Sequence, residues 1–351
     1  MDLRDRLIKD IGEFALIEHL AGVLGPTAYG GGQGVIRGIG DDAAVLQQSP
    51  GSRLLASCDM LMEGRHFDLD YFTPWQVGWK ALAVNLSDIA AMGGRPRWAL
   101  VSLGLPPTLT LGFVEDLYKG MAELADRYEV IIVGGDTCSS PGGLVIDVSI
   151  LGEASRYEVA YRSGAQENDI LLVTGYLGQA AAGLAHLKKG KEPFLPGADV
   201  LHQAHLVPEP RVDQALELMR SDLVGAMNDL SDGLATELYE IVQASGCGAR
   251  IWADRLPIDN PTEQLARQLG VDPLDWALFG GEDFELLVTV KGSKGFSLKV
   301  KGLAQAIKSM TGTPLSIIGS IVPQYEGIAI VYPDGREAEL KPGGYNHFSG
   351  S

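Results

Sequence analysis

Positive charge is scarce in this chain. Across 351 residues, 28 Lys and Arg stand against 45 Asp and Glu, a formal net charge of −17. A surface of that sign repels nucleic acid and anionic lipid, so neither is expected as a main partner. Cysteine is scarcer still. Cys58, Cys138 and Cys247 are odd in number, far apart and without CxxC spacing, which argues against a disulfide framework and a zinc site. No apolar run approaches the ~20 residues needed to span a bilayer. The opening stretch MDLRDRLIKDIGEF holds no apolar signal core. The expected setting is a reducing cytoplasm.

The common nucleotide and nucleophile motifs are also absent. There is no G-x-x-x-x-G-K-[ST] loop, no complete G-x-G-x-x-G after a strand, no kinase H-R-D or D-F-G set and no G-x-S-x-G elbow. If the chain binds a nucleotide, it does so without a P-loop. Divalent cations would then be the source of the missing positive charge.

What is present is an ordinary globular balance, 46% hydrophobic and 21% charged, at a length that suits two domains. Apolar periodicity predicts helices over 13–24, from Pro74 to about Met92, and over 111–128, 179–187, 212–219 and 234–244. Strands are expected at 54–57, 98–103, 130–133, 144–151, 170–173, 223–227, 249–252, 284–290 and 317–321. Gly30–Gly34 reads as a flexible stretch that cannot pack, and Pro193–Pro210 as a Pro-rich connection. Helices and strands alternate in both halves, so the fold class is α/β or α+β. The polar stretch from Glu153 to Asp169 places the boundary between an N-terminal domain, 1–153, and a C-terminal domain, 154–351.

The informative feature is the placing of acids. Gly40-Asp41-Asp42, Asp59, Gly135-Asp136, Asp229-Leu230-Ser231-Asp232-Gly233 and Gly280-Gly281-Glu282-Asp283 each follow an apolar run. Each is expected where a buried strand opens into a loop, with glycine allowing the turn and the close approach of a ligand. One such site needs only the turn preference of Asp and Gly. Five sites that converged would repel one another, and bound cations would relieve the cost. Magnesium suits such a set, being a hard ion that sits between carboxylates and phosphates. A second signal lies in the helix from Pro74, where Lys80, Asn85 and Asp88 interrupt an almost wholly apolar run. A buried Asp88 would need a metal or a partner such as Lys80 or Asn85.

These motifs resemble the thiamine-monophosphate kinase family. The resemblance rests on Gly38–Ala44, Ser57-Cys58-Asp59, Lys80–Gly93, Gly134–Thr137, Asp229–Leu234 and Gly280–Asp283, in that family's order, and reaches Gly344–Phe348. It implies a two-domain fold shared with aminoimidazole ribonucleotide synthetase. It also implies a homodimer paired through the N-terminal halves, several Mg2+ ions, ATP as co-substrate and room for a monovalent cation. The ATP site would lie between the acids of the N-terminal domain and Asp229 and Asp232. Carried over by position, Asp42, Ser57, Cys58, Asp59, Asp88, Asp136, Asp229 and Asp232 match metal positions, with Asp59, Asp88, Asp136 and Asp229 as the catalytic set. Tyr118, Gly135, Asp136, Arg162 and Ser231 match ATP contacts. His66, Glu282 and Tyr345 match contacts to thiamine monophosphate.

One departure is Cys58, where the family commonly has Thr. A thiol is a poor magnesium ligand, so any metal contact there is expected from the main-chain carbonyl. The expected reaction is direct, in-line transfer of the γ-phosphoryl group of ATP, the last step of thiamine diphosphate formation. Gly30–Gly34 would be a lid over the phosphates or a disordered connector. The alternatives are another ATP-using member of the superfamily, of the purine-biosynthesis or hydrogenase-maturation type, and a non-catalytic divalent-ion-binding protein.

Overall fold

The computed structural model describes residues 3–40, 42–156, 159–292 and 296–344. The chain forms two compact units, Met1–Ile89 with Gly94–Tyr157, and Ala90–Gly93 with Glu158–Ser351. Each unit is a mixed β-sheet with helices, in line with the α/β expectation.

The first unit begins with α1 (Ile8–Ile11) and α2 (Glu13–Leu24), then a small ribbon of β1 (Val35–Arg37) and β2 (Val45–Leu46). There follow β3 (Ser52–Met62), α3 (Pro74–Ala91), β4 (Arg95–Leu105), α4 (Leu111–Arg127), β5 (Ile131–Ser139) and β6 (Val145–Ser155). Four strands form one sheet in the order β3-β6-β4-β5, with β4 and β5 parallel and the other neighbours antiparallel. β6 shows how the sheet sorts its side chains. Ile146, Val148 and Ile150 are buried, while Asp147 and Ser149 between them point to the more open face. The buried row meets α3, where Gly152 leaves room for Ile89.

α4 is helical because its apolar residues, Val114, Leu117, Met121 and Leu124 among them, recur every three or four positions and bury one face. The Thr110 hydroxyl caps it by accepting from the Phe113 N–H at 3.2 Å. α3 and α4 touch backbone to backbone at two glycines. A Cβ on Gly78 would stand 1.9 Å from the Leu117 carbonyl oxygen, and one on Gly120 1.9 Å from that of Trp75. The Gly30–Gly34 stretch does pack, contrary to expectation. The Gly31 N–H donates to the Val35 carbonyl at 3.0 Å, the Gln33 carbonyl accepts from the Trp98 indole at 3.1 Å, and Gly34 lies against Gln47.

The second unit contains β7 (Ile170–Thr174), α5 (Gln179–Lys188), α6 (Ala198–Leu206), α7 (Val212–Arg220), β8 (Val224–Asp229) and α8 (Leu234–Ser245). It continues with β9 (Gly248–Trp252), α9 (Asn260–Leu269), α10 (Pro273–Phe279), β10 (Leu286–Val290), α11 (Phe296–Thr311), β11 (Leu315–Val322), β12 (Ile328–Val331) and β13 (Glu337–Glu339). The seven-stranded sheet runs β13-β12-β9-β11-β7-β10-β8, with only β9 and β12 parallel. Leu171, Val173, Leu238, Ile251, Leu287 and Ile318 centre its core.

Three further expectations fail in this architecture. Asp59 and Asp136 lie inside β3 and β5, because both strands run on past the point where sequence reading stopped them. Glu282 and Asp283 follow a helix, α10, rather than a strand. The Pro-rich connection holds α6, a complete helix that begins beyond Pro196 and ends before Pro208.

Two predictions follow from this packing. Gly120→Ala gains up to about 1 kcal/mol of helix propensity, but drives a methyl into the Trp75 carbonyl, and overpacking costs about 1–3 kcal/mol or more. Chemical denaturation should show a net loss; a more stable variant would contradict the close α3–α4 crossing. Asp283 turns its carboxylate inward, accepting from the Gly178 N–H at 2.7 Å and the Ala180 N–H at 3.2 Å at the start of α5. Burial nonetheless pushes its carboxyl up to about 7 from 3.8. A carboxyl raised in the folded state favours folding at low pH, and that contribution is lost as pH rises from about 4 through about 7. Asp283→Asn should therefore gain stability relative to wild type across this window in thermal melts. A constant difference between the two would refute the assignment.

Candidate functional site

In the first unit Asp59 and Asp88 come together where β3 meets α3. Asn85 is fully buried, and its amide must be satisfied there. Its Nδ2 donates to the Ala81 carbonyl at 3.0 Å, and its Oδ1 accepts from the Asp59 N–H at 3.1 Å. That N–H belongs to β3, the edge strand of the sheet. The helix thus caps a strand edge that would otherwise lie open. One turn further on, Asp88 accepts a hydrogen bond from the Ser57 hydroxyl. Ser57, Asp59 and Asp88 therefore share one corner, and all three are half-buried. Asp88 is not sealed in the interior as expected. Lys80 is, and it donates to the His66 carbonyl at 3.0 Å with its ammonium 5.4 Å from the centre of the Phe72 ring.

Cys58 stands apart from this corner. Its thiol lies on the other face of the sheet, 3.3 and 3.5 Å from the carboxylate oxygens of Asp147. Its carbonyl is not well placed either. In a regular antiparallel strand, the N–H and C=O of one residue point to the same side and alternate along the chain. The Asp59 N–H points off the edge to Asn85, and the β3–β6 register is unbroken. The Cys58 carbonyl therefore points into the ladder, and those of Ser57 and Asp59 are the ones directed outward.

Asp136 does not join this corner. It sits on β5, at the opposite edge of the sheet and three strand spacings from β3, roughly 14 Å at ~4.8 Å per step. Its cross-strand neighbours are Ser102 and, through it, Asp147, on the face away from Asp59. Gly135 beside it admits no side chain, since a Cβ would lie 1.8 Å from the Val101 carbonyl oxygen. Asp42 is exposed in the segment before β2. Tyr118 lies within the packed face of α4, where burial pushes its phenol up. His66 accepts from the Met62 N–H at 2.9 Å in the turn after β3.

In the second unit Asp229 ends β8, buried and paired across the ladder with Leu286. Two loops are stitched together there. The Leu230 N–H donates to the Glu285 carbonyl at 2.8 Å, the Phe284 N–H to that of Leu230 at 2.9 Å, and the Glu282 N–H to that of Ser231 at 2.6 Å. Arg211 holds Glu285 through two bonds of 2.7 and 2.5 Å, which anchors the start of β10. Ser231, Asp232, Glu282 and Asp229 are thereby brought to one end of the sheet. Gly344 also reaches this loop, since a Cβ there would lie 2.0 Å from the Asp232 carbonyl oxygen. Tyr345 lies outside the described residues.

Three side chains at this end were missed in the sequence. Asn228 bonds to Glu237, whose carboxylate also accepts from the Ser231 hydroxyl at 3.1 Å and the Asp232 N–H at 3.2 Å. Burial, then Asp229 and Glu240, push the Glu237 carboxyl up to about 8. Arg162 pairs with Glu240 at 2.9 Å and donates to Asn228 at 3.1 Å. The available signal was spacing: Glu237 and Glu240 stand three apart on α8, directly after the Asp229–Gly233 loop. Among the described residues, no three His, Cys, Asp or Glu side chains already stand in a metal-holding group. The donors at the β3–α3 corner are nevertheless all oxygen, the chemistry that magnesium takes.

Comparison with known proteins places these features in a family. Residues 40–154 match the AIR synthase related protein, N-terminal domain, and residues 166–331 the corresponding C-terminal domain. A thiamine-monophosphate kinase of Bacillus subtilis (strain 168) is 40% identical over 313 residues, 89% of this chain and 93% of that protein. The crystal structure of thiamine-monophosphate kinase from Stenotrophomonas maltophilia K279a superposes with a TM-score of 0.78 at 34% identity, covering 93% of this chain and 98% of that one. The structure of AaThiL complexed with AMPPCP and TMP superposes with a TM-score of 0.73 at 32% identity over 98% of this chain and 99% of its own. With its two AIR synthase related domains, this chain belongs to the thiamine-monophosphate kinase family of phosphotransferases.

Proposed function

We propose that this enzyme transfers the γ-phosphoryl group of ATP directly to the phosphate of thiamine monophosphate, giving thiamine diphosphate. The observation that carries the reading is the likeness, over 98% of the chain, to a structure complexed with AMPPCP and TMP. The acceptor phosphate has a second pKa of ~6, so at neutral pH it is already a good nucleophile and needs no strong general base. Electrostatics is the difficulty, because two anions must meet on a chain of net charge −17.

Several magnesium ions, when bound, would neutralise the phosphates and align donor with acceptor. Asp59 and Asp88 would hold them at the β3–α3 corner, with Ser57 orienting Asp88. Asp42, Asp229 and Asp232 are proposed as further ligands. Asp136 would hold metal beside a different part of the nucleotide, given its place on the far edge of the sheet from Asp59. Gly135 and Ser231 would let the nucleotide approach closely, and Arg162 would add positive charge. Tyr118 is proposed as an ATP contact from α4. His66 and Glu282 would contact the acceptor, as would Tyr345. A monovalent cation would fit the same anionic setting.

A homodimer through the first unit is part of this proposal. Leu54, Met60, Met62 and Leu100 are exposed on one face of its sheet, and covering them would bury apolar area. A cytoplasmic location is also proposed, in keeping with three free cysteines. No helix among the described residues is long and apolar enough to cross a membrane.

Asp59→Asn should lower turnover by at least about 10²-fold while leaving the melting curve intact. Asp136→Asn should do the same, and near-normal rates in both would remove the proposal that these carboxylates hold the metal. Cys58→Ser should keep wild-type turnover and magnesium dependence, because its side chain faces Asp147 rather than the corner. Loss of magnesium binding in that variant would show the thiol position to be part of the site.

A further inference from the structure

The Gly280–Asp283 loop is held in an unusual backbone shape. Gly281, Glu282 and Phe284 have φ of 68°, 60° and 47°. Left-handed backbone is unfavourable at residues other than glycine and persists only where the surroundings impose it. Here they do. The Glu282 and Phe284 N–H groups bond to Ser231 and Leu230, and the Asp283 carboxylate is fixed on the first N–H groups of α5.

Those bonds set the main chain of Glu282, and its side chain has three further torsions. A group that stands against that side chain is His205, in the last turn of α6. Its imidazole is 3% exposed, and Nδ1 stands 3.1 Å from Glu282 Oε2, while the glutamate side chain remains 29% exposed. A buried ring thus meets one oxygen of a carboxylate that still opens to solvent. We infer that His205 is a positioning residue, which holds the Glu282 carboxylate in the rotamer that receives the acceptor.

The inference rests on the reading of Glu282 as an acceptor contact. A carboxylate held in place before binding loses less freedom when the ligand arrives, so the holding group acts on affinity. Removal of the ring should therefore raise KM for thiamine monophosphate and spare both KM for ATP and kcat. A ring that served only the packing of α6 would instead lower stability and leave KM unchanged.

The test compares His205→Leu, His205→Asn, Glu282→Gln and the His205→Leu/Glu282→Gln pair in steady-state kinetics with melting curves. The Asn amide nitrogen stands close to where Nδ1 was and can restore the contact, while Leu fills the space and cannot. His205→Leu should raise KM for thiamine monophosphate by about tenfold, His205→Asn should return it close to wild type, and the double variant should be no worse than Glu282→Gln alone. Should the Leu variant fail to fold, His205→Gln replaces it, since its amide lies nearer the Nε2 position and should also raise KM. A raised KM in Glu282→Gln with unchanged KM in every His205 variant overturns the positioning role and spares the acceptor reading. Unchanged KM in Glu282→Gln overturns the acceptor reading and the positioning role with it.

Discussion

Like charges held close together raise one another's free energy, and the arrangement of this molecule answers that constraint. The chain is strongly acidic, and several of its acids are met by donors. Asp88 has the Ser57 hydroxyl, Glu285 has both arms of Arg211, Glu240 has Arg162, and Glu237 has Asn228, Ser231 and the Asp232 main chain. Where burial outweighs the donors, as at Asp283 and Glu237, the carboxyl moves toward its neutral form. Half-buried acids at a corner such as β3–α3 are the natural places for cations and the phosphates that follow them.

The corner depends on a single amide. Asn85 lies in the apolar face of α3 and reaches the N–H of Asp59, so helix and edge strand hold a common position. This fixes which way the strand faces. It sends Asp59 toward the helix and Cys58 to the opposite face, so a thiol and a carboxylate adjacent in sequence live in different environments. The same alternation separates Asp59 from Asp136, which share a sheet but neither a face nor an edge.

Much of this was legible in the sequence. Helical periodicity located α2, α3 and α4, because each carries a continuous apolar stripe. The order of the acidic motifs identified the family. Strand ends were not legible at Asp59 and Asp136, since acid and glycine look like a turn whether or not the ladder continues, and pairing with β6 and β4 is a tertiary fact. α6 was hidden because prolines flank it, although none lies inside. Glu237 and His205 carried no motif, and their contacts form only once α8 and α6 fold against the two loops.

The account turns on phosphate transfer made possible by cations at carboxylates. The most direct measurement is incubation of the enzyme with ATP, magnesium and thiamine monophosphate, following thiamine diphosphate and ADP together. One thiamine diphosphate for each ADP, formed with magnesium and abolished by a chelator, is the expected result. ADP release without thiamine diphosphate, or undiminished transfer in the presence of the chelator, would contradict it.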